Sequence, residues 1–228
     1  MSKLDIHYIN RISEIFKEKK WPFNPDPVID EQNLFDKICK LVDSLTGDEA
    51  ELILKLLEDF QKYTWFDYPN KLFDVFASVD YEKYDECENV IFFPLKKFQD
   101  EEKTKSSDGL DYIVKSMIEP DISFFQKKKT YHLTTLRYLD NHKLNTKYKS
   151  LIIFLDDFIG SGRTAINCIN NYKDNYATDN DELLIASIVV HKYGFESLRS
   201  EGIKCVCYEK HPKGIEDSQK ISDKDRAY

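Results

Sequence analysis

The stretch Leu151–Ala165 constrains the fold of this chain more than any other part of its sequence. Bulky apolar residues fill positions 151–155, a continuous run typical of a strand that is buried on both faces of a sheet. Asp156 and Asp157 follow this run, and a glycine-rich turn at residues 160–164 leads into a helical pattern. A buried strand that passes through a tight turn into a helix is the repeating unit of a parallel α/β sheet.

The turn and the two acids have complementary chemistry. Gly160 and Gly162 allow successive backbone amides to point to one side, and the helix start adds the positive end of its dipole. Ser161 and Thr164 add hydroxyl donors, while the acids supply oxygens suited to sugar hydroxyls and to a magnesium ion. We therefore expect a phosphate to lie over the amides from Ser161 to Thr164, without direct contact to carboxylates that would repel it.

The chain from Asn89 onward alternates short apolar runs with amphipathic stretches, which indicates strand and helix in turn. Strands are predicted at residues 90–93, 131–136, 151–155, 183–190 and 204–208, and helices at 108–118, 164–172 and 195–201. This pattern predicts an α/β fold with a parallel sheet and helical crossovers. Ligands of such sheets bind beyond the carboxyl ends of the strands, so the site is expected after residues 94, 136, 155, 190 and 208.

The first third of the chain has the apolar spacing of helices. An apolar stripe predicts a helix at residues 3–19, which ends before a connector with three prolines in residues 22–27. Further helices are predicted around residues 34–45 and 52–60, with a capping box at Thr46 and Glu49 between them, and a short one near residues 71–78. We therefore predict two parts, a helical N-terminal region at residues 1–84 and an α/β domain at residues 85–228.

Charge and composition exclude several classes of function. The chain has 33 basic and 41 acidic residues, a net charge of -8, and this field repels nucleic acid and anionic membranes. No apolar run approaches the ~20 residues of a membrane span, and no signal peptide is apparent, so a cytosolic location is expected. The five cysteines are scattered through apolar contexts, which predicts reduced core residues, and Cys205 and Cys207 lack the further ligands of a zinc site.

Residues 152–164 resemble the signature of type I phosphoribosyltransferases. That signature has four bulky apolar residues, two acids, three variable residues, then Ser or Thr, Gly, any residue and Thr, and this chain matches every position. The resemblance implies a phosphoribosyl pyrophosphate site with Mg²⁺ and transfer of the phosphoribosyl group with release of pyrophosphate. Asp156 and Asp157 would then be the catalytic and metal-binding acids that contact the ribose hydroxyls. The turn would bind the 5-phosphate through residues Gly160, Ser161, Gly162, Arg163 and Thr164.

The same resemblance indicates further ligand contacts in three other loops. The pyrophosphate loop of the family corresponds to residues 94–109, where Lys105 and Ser106 are the preferred candidates, although acids make this loop mixed in charge. Arg137 follows the second predicted strand and is a candidate for a phosphate contact. Lys192 follows the fourth strand, next to His191, where a nucleobase or the reacting C1 carbon could lie.

Other interpretations of the turn remain open. Residues 160–165 also fit the dinucleotide fingerprint G-x-G-x-x-A, with Asp179 or Asp181 as the acidic partner, whereas the spacing of a P-loop is absent. The acids could instead cap the next helix, in a scaffold that binds no ligand.

A degenerate site that binds a nucleotide without turnover is a further alternative. The N-terminal helices and the Lys-Ser-Ser stretch are similar to divergent phosphoribosyltransferase domains of bacterial conflict systems. That similarity implies a role in antiviral defence and a protein partner bound through the N-terminal helices.

Overall fold

The computed structural model describes residues 4–23, 34–96, 106–136 and 148–212. These residues form two compact units, one that ends at Lys62 and one that comprises Tyr63–Pro212. Residues 63–84, which the sequence analysis grouped with the helical region, thus lie in the second unit. None of the helices in the described ranges combines the length and the apolar character that crossing a membrane requires.

The first unit contains three helices, α1 (Ile6–Glu18), α2 (Leu34–Asp43) and α3 (Gly47–Asp59). Their apolar stripes meet in one core, in which Ile12, Phe16 and Leu54 are fully buried. The predicted capping box is present, with the Glu49 carboxylate accepting from the Thr46 backbone amide at 2.9 Å. The three helices predicted for this region are therefore confirmed.

The second unit alternates strands and helices after one leading helix. Its elements are α4 (Tyr68–Ala77), a 3₁₀ turn (Tyr81–Tyr84), β1 (Asn89–Pro94), α5 (Ser106–Ile113) continued by a π-helical turn (Val114–Ile118), α6 (Ser123–Gln126), β2 (Lys129–His132), β3 (Ser150–Ile159), α7 (Arg163–Asn175), β4 (Asp181–His191), α8 (Lys192–Ser200) and β5 (Cys205–His211). The predicted alternation of strand and helix is confirmed.

The five strands form one parallel sheet in the order β2-β1-β3-β4-β5. Helices α4 and α5 pack on one face of this sheet, against Phe92 and Leu155 among others. Helices α7 and α8 pack on the other face, against Phe93 and Phe154. The chain thus leaves β1 and β3 toward opposite faces, which makes the point between these two strands the topological switch point where ligands of such sheets bind.

Three of the predicted strands differ from the structure by three or more residues at one end. The second begins at Lys129 and ends at His132, so the prediction of residues 131–136 is wrong at both ends. The third extends to Ile159, because pairing with β4 continues past the two acids. The fifth, predicted at residues 204–208, begins at Cys205 and continues to His211. Apolar pattern locates the interior of a strand better than its ends, because the ends depend on the neighbouring strand.

All five cysteines lie in the described residues and none of them forms a disulfide, as predicted. Burial raises the pKa of Cys205 to about 12, and it also raises the pKa of Cys207. Thiols of this kind stay protonated at neutral pH and are poor nucleophiles.

His132 joins the edge strand β2 to α5 and to the end of the π-helical turn that continues α5. Its ring nitrogens contact Asp111 at 2.7 Å and Glu119 at 3.0 Å, and its ring stacks on Phe92. Burial by itself lowers the pKa of His132, but the hydrogen bonds and charges of the two carboxylates outweigh it and raise this pKa above its ordinary value. The imidazolium form therefore stabilises the fold.

We predict that His132→Gln lowers the free energy of unfolding by about 3 kcal/mol at pH 6, because it leaves two partly buried carboxylates without their cation. Since the folded pKa lies above the unfolded value of about 6.5, this contribution is complete below that pH and is lost as the pH rises through the folded pKa. Urea unfolding from about pH 6 to pH 9 measures the difference between the two proteins, with His7→Gln on an exposed helix surface as control. A difference that stays constant over this range would contradict the assignment.

Candidate functional site

A cavity opens at the carboxyl end of the sheet, at the switch point between β1 and β3. Its wall combines the end of β1, the start of α5, and the strand end and turn that join β3 to α7. The lining residues are Leu95, Ser106, Ser107, Asp156, Phe158, Ile159, Gly160, Ser161, Gly162, Thr164 and Ala165. The volume of about 170 Å³ is below the ~300 to 1,000 Å³ of a site that encloses a whole drug-sized ligand, so this cavity suits one end of such a molecule.

The turn between β3 and α7 has the backbone geometry that its glycines predicted. Gly162 is the N-cap of α7 and has φ of +79°, a left-handed conformation that costs other residues energy. As a glycine it offers no side chain to cap the first amides of the helix. Because Thr164 and Ala165 line the cavity, the first turn of α7 and its positive dipole end lie at the cavity wall.

Gly194, near the start of α8, packs closely against the backbone of the glycine turn at residues 160–162. A β-carbon at Gly194 would overlap the carbonyl oxygen of Gly160 and lie 3.2 Å from the backbone nitrogen of Gly162. The backbone of α8 therefore approaches the backbone of the turn as closely as a glycine allows. The sequence analysis did not identify Gly194, because its role depends on a contact between elements that are distant in the chain.

The two acids lie on opposite faces of β3, as successive residues of a strand do. Asp156 lines the cavity. Asp157 faces α4 and α5, where Oδ1 accepts from the Ser106 hydroxyl at 3.0 Å and Oδ2 accepts from the Tyr68 hydroxyl at 3.2 Å. Ser106 also lines the cavity, so Asp157 lies directly behind that part of the wall.

Tyr68 is a neutral donor in this arrangement. Burial, followed by the nearby negative charge of Asp157, raises the pKa of Tyr68 to about 12. The phenol consequently keeps its proton throughout the neutral range and donates to the carboxylate.

The start of α5 adds two hydroxyls to the opposite side of the cavity. Ser106 is exposed, whereas Ser107 is 1% exposed and its hydroxyl has no hydrogen-bond partner among the described residues. A buried hydroxyl without a partner at a cavity wall is suited to a ligand or to water. Lys96, which lies in the segment compared with the pyrophosphate loop, is buried and forms an ion pair with Asp108 at 2.6 Å.

The predicted site residues fall into three groups in the structure. The cavity brings together Asp156, Gly160, Ser161, Gly162, Thr164 and Ser106, and Asp157 contacts Ser106. Arg163 and Lys192 are exposed and are not among the residues that line it. Lys105 and Arg137 lie outside the described residues.

Phe158 is an exposed aromatic residue in the wall of the cavity. It is 55% exposed although it lies near the end of the buried strand β3. An exposed aromatic face beside hydroxyl donors suits the stacking of a planar ring. The sequence signature treats this position as variable, so it gave no prediction here.

A metal ion at this site would need oxygens beyond those of the described side chains. In the described ranges, no group of three or more His, Cys, Asp or Glu side chains is placed to bind a metal. Mg²⁺ is commonly bound by one or two carboxylates together with water and substrate phosphates. Asp156, with its carboxylate at the cavity, fits that donor set.

The parallel sheet, with paired acids and a glycine turn at the end of its central strand, defines a type I phosphoribosyltransferase-like fold. The chain belongs to the PRTase-CE family, whose model matches residues 20–228. The match begins in the helical unit and includes the sheet and the cavity. The predicted fold class and the predicted family resemblance to type I phosphoribosyltransferases are both confirmed.

Two solved structures are similar to this chain, with low sequence identity and low TM-scores. One is a hypothetical protein from Neisseria gonorrhoeae with bound ppGpp, with 11% identity over 66% of this chain and 82% of that chain, and a TM-score of 0.40. The other is the orotate phosphoribosyltransferase from Aeropyrum pernix, with 13% identity over 86% of this chain and 92% of that chain, and a TM-score of 0.34. Similarity this weak does not indicate which ligand this chain binds. Among the curated proteins, none matches the chain.

We predict that Gly194→Ala lowers the free energy of unfolding by about 1 to 3 kcal/mol, because the added methyl group forces α8 away from the turn. Urea unfolding measures this loss. Gly47→Ala is the matched control, since a β-carbon there meets only the Tyr8 hydroxyl at an ordinary 3.8 Å. If Gly194→Ala is as stable as the control, the backbone contact between α8 and the turn does not exist as described.

Proposed function

We propose that the second unit binds phosphoribosyl pyrophosphate or a related nucleotide and transfers the phosphoribosyl group with release of pyrophosphate. The observation that carries this proposal is the composition of the cavity wall. A helix start with a glycine at its N-cap, the hydroxyls of two helix starts and the turn, and a carboxylate surround one space at the switch point. An anion site and a carboxylate that accepts from hydroxyls, so close together, suit a sugar phosphate.

The 5-phosphate is assigned to the turn from Gly160 to Thr164. Backbone amides and the hydroxyls of Ser161 and Thr164 bind it without a cation, which suits a chain of net charge -8. A hydrogen bond to a charged oxygen contributes about 1.5 to 3 kcal/mol, so several together offset the unfavourable global field. The hydroxyl of Ser107, which lines the same space and has no partner among the described residues, is assigned to the diphosphate.

The ribose is assigned to the space between these two anion sites, with its hydroxyls toward Asp156 and Asp157. Mg²⁺, when bound, would neutralise charge on the departing diphosphate. The bond from C1 to the diphosphate oxygen breaks and a bond from C1 to the acceptor forms, with pyrophosphate leaving with the electron pair. The protein contributes position and negative charge near C1, where positive charge develops.

The acceptor is assigned to the exposed face of Phe158. A planar base that stacks there would lie on the same face of β3 as Asp156. A role in antiviral defence, a protein partner for the N-terminal helices and a cytosolic location stay predictions.

We predict that phosphoribosyl pyrophosphate with Mg²⁺ raises the melting temperature by at least ~5 °C at a hundredfold excess over its dissociation constant. Differential scanning fluorimetry measures the shift. Asp156→Asn should remove most of it, whereas Asp174→Asn, which makes the same change of charge on an exposed part of α7, should retain it. No shift in the unmodified protein would overturn the proposal.

We predict that pyrophosphate release requires an acceptor. Labelled phosphoribosyl pyrophosphate incubated with bases, nucleotides and polynucleotides would yield pyrophosphate with one of them at a rate well above that of hydrolysis. Saturable binding without release under any of these conditions would instead identify a nucleotide-sensing module.

A further inference from the structure

Tyr68 lies outside the signature segment but contacts one of its acids. It is the first residue of α4, and 89 positions separate it from Asp157 in the chain. Ser106, the first residue of α5, contacts the other oxygen of the same carboxylate. The carboxylate is thus held from two helices at once.

We propose that Tyr68 is a positioning residue of the site, whose hydroxyl, together with that of Ser106, orients the Asp157 carboxylate toward the ribose. This inference rests on the proposed function. Asp157 points away from the cavity side of β3, so its oxygens reach the ligand only if the side chain is held against the wall that Ser106 forms. A carboxylate has about four lone-pair sites. Two of these sites on Asp157 accept hydrogen bonds from Ser106 and Tyr68, and the others can accept hydrogen bonds from a ligand.

Hydrogen bonds in the turn that precedes α4 fix the position of Tyr68. The Asp67 carboxylate accepts from the Thr64 backbone amide at 2.6 Å and from the Thr64 hydroxyl at 2.8 Å, which closes the turn that leads into α4. Pro69 follows in the first turn of the helix, where its fixed φ is favourable.

The ring of Tyr68 is also held by a neighbouring aromatic side chain. The indole of Trp65 lies 5.5 Å from the Tyr68 ring, centroid to centroid. The same indole packs on α5 at Gly109, where a β-carbon would overlap it. Tyr68 is therefore connected to α5 through Asp157, which contacts Ser106, and through Trp65, which packs at Gly109, and this arrangement orients the carboxylate before a ligand arrives.

Tyr68→Phe removes only the hydroxyl, and Tyr172→Phe is its matched control. Tyr172 donates to Asp181 at 2.8 Å in the same unit, and it is not among the residues that line the cavity. We expect Tyr68→Phe to weaken binding of phosphoribosyl pyrophosphate with Mg²⁺ about fivefold, as the loss of one hydrogen bond would. Binding of inorganic phosphate, which reports on the glycine turn, should change less than about twofold. Tyr172→Phe should bind both as the unmodified protein does.

A double-mutant cycle shows whether Tyr68 acts through Asp157. In an Asp157→Ala background, Tyr68→Phe should cause no further loss, because the carboxylate that it positions is absent. Ser106→Ala should behave in the same way, and it provides the test if Tyr68→Phe does not fold.

Titration calorimetry separates the possible outcomes. Equal binding by Tyr68→Phe and the unmodified protein overturns this inference and leaves the proposed function intact. A loss that is the same for phosphate, or that persists in the Asp157→Ala background, also overturns it, because the tyrosine would then act on the fold. If the unmodified protein does not bind phosphoribosyl pyrophosphate, both the proposed function and this inference fail.

Discussion

The parallel pairing of β1 with β3 is the constraint on which the rest of the site depends. Residues Asn89 to Pro94 pair in register with Ser150 to Leu155, so the two strands end side by side. The helices that follow these strands pack on opposite faces of the sheet, which leaves a crevice between their starts. The positive dipole ends of α5 and α7 therefore lie near the same space, and the Arg163 side chain is not among the residues that line it.

The two acids lie on opposite faces of β3 and therefore have different contacts. Asp156 points to the cavity, whereas Asp157 is bonded to Ser106 and Tyr68 on the opposite side of the strand. Adjacent positions on a strand cannot point to one face. A site that needs both carboxylates consequently requires further residues to bring the second one into reach.

The central part of the site was predictable from sequence because its signals are local. A run of apolar residues, two acids and a glycine turn occupy consecutive positions, and Gly162 needs a left-handed backbone wherever the turn lies. Gly194 and Tyr68 were not identified because their roles arise from packing between distant elements. Tyr68 lies in an aromatic stretch without clear periodicity, and only its contact with Asp157 distinguishes it from a core tyrosine.

A crystal structure with phosphoribosyl pyrophosphate and Mg²⁺ tests the central claim most directly. We expect the 5-phosphate to lie over the backbone amides from Ser161 to Thr164, with the ribose hydroxyls directed toward Asp156 and Asp157. A turn left empty, with the 5-phosphate bound at the start of α5 instead, would contradict this assignment of the site.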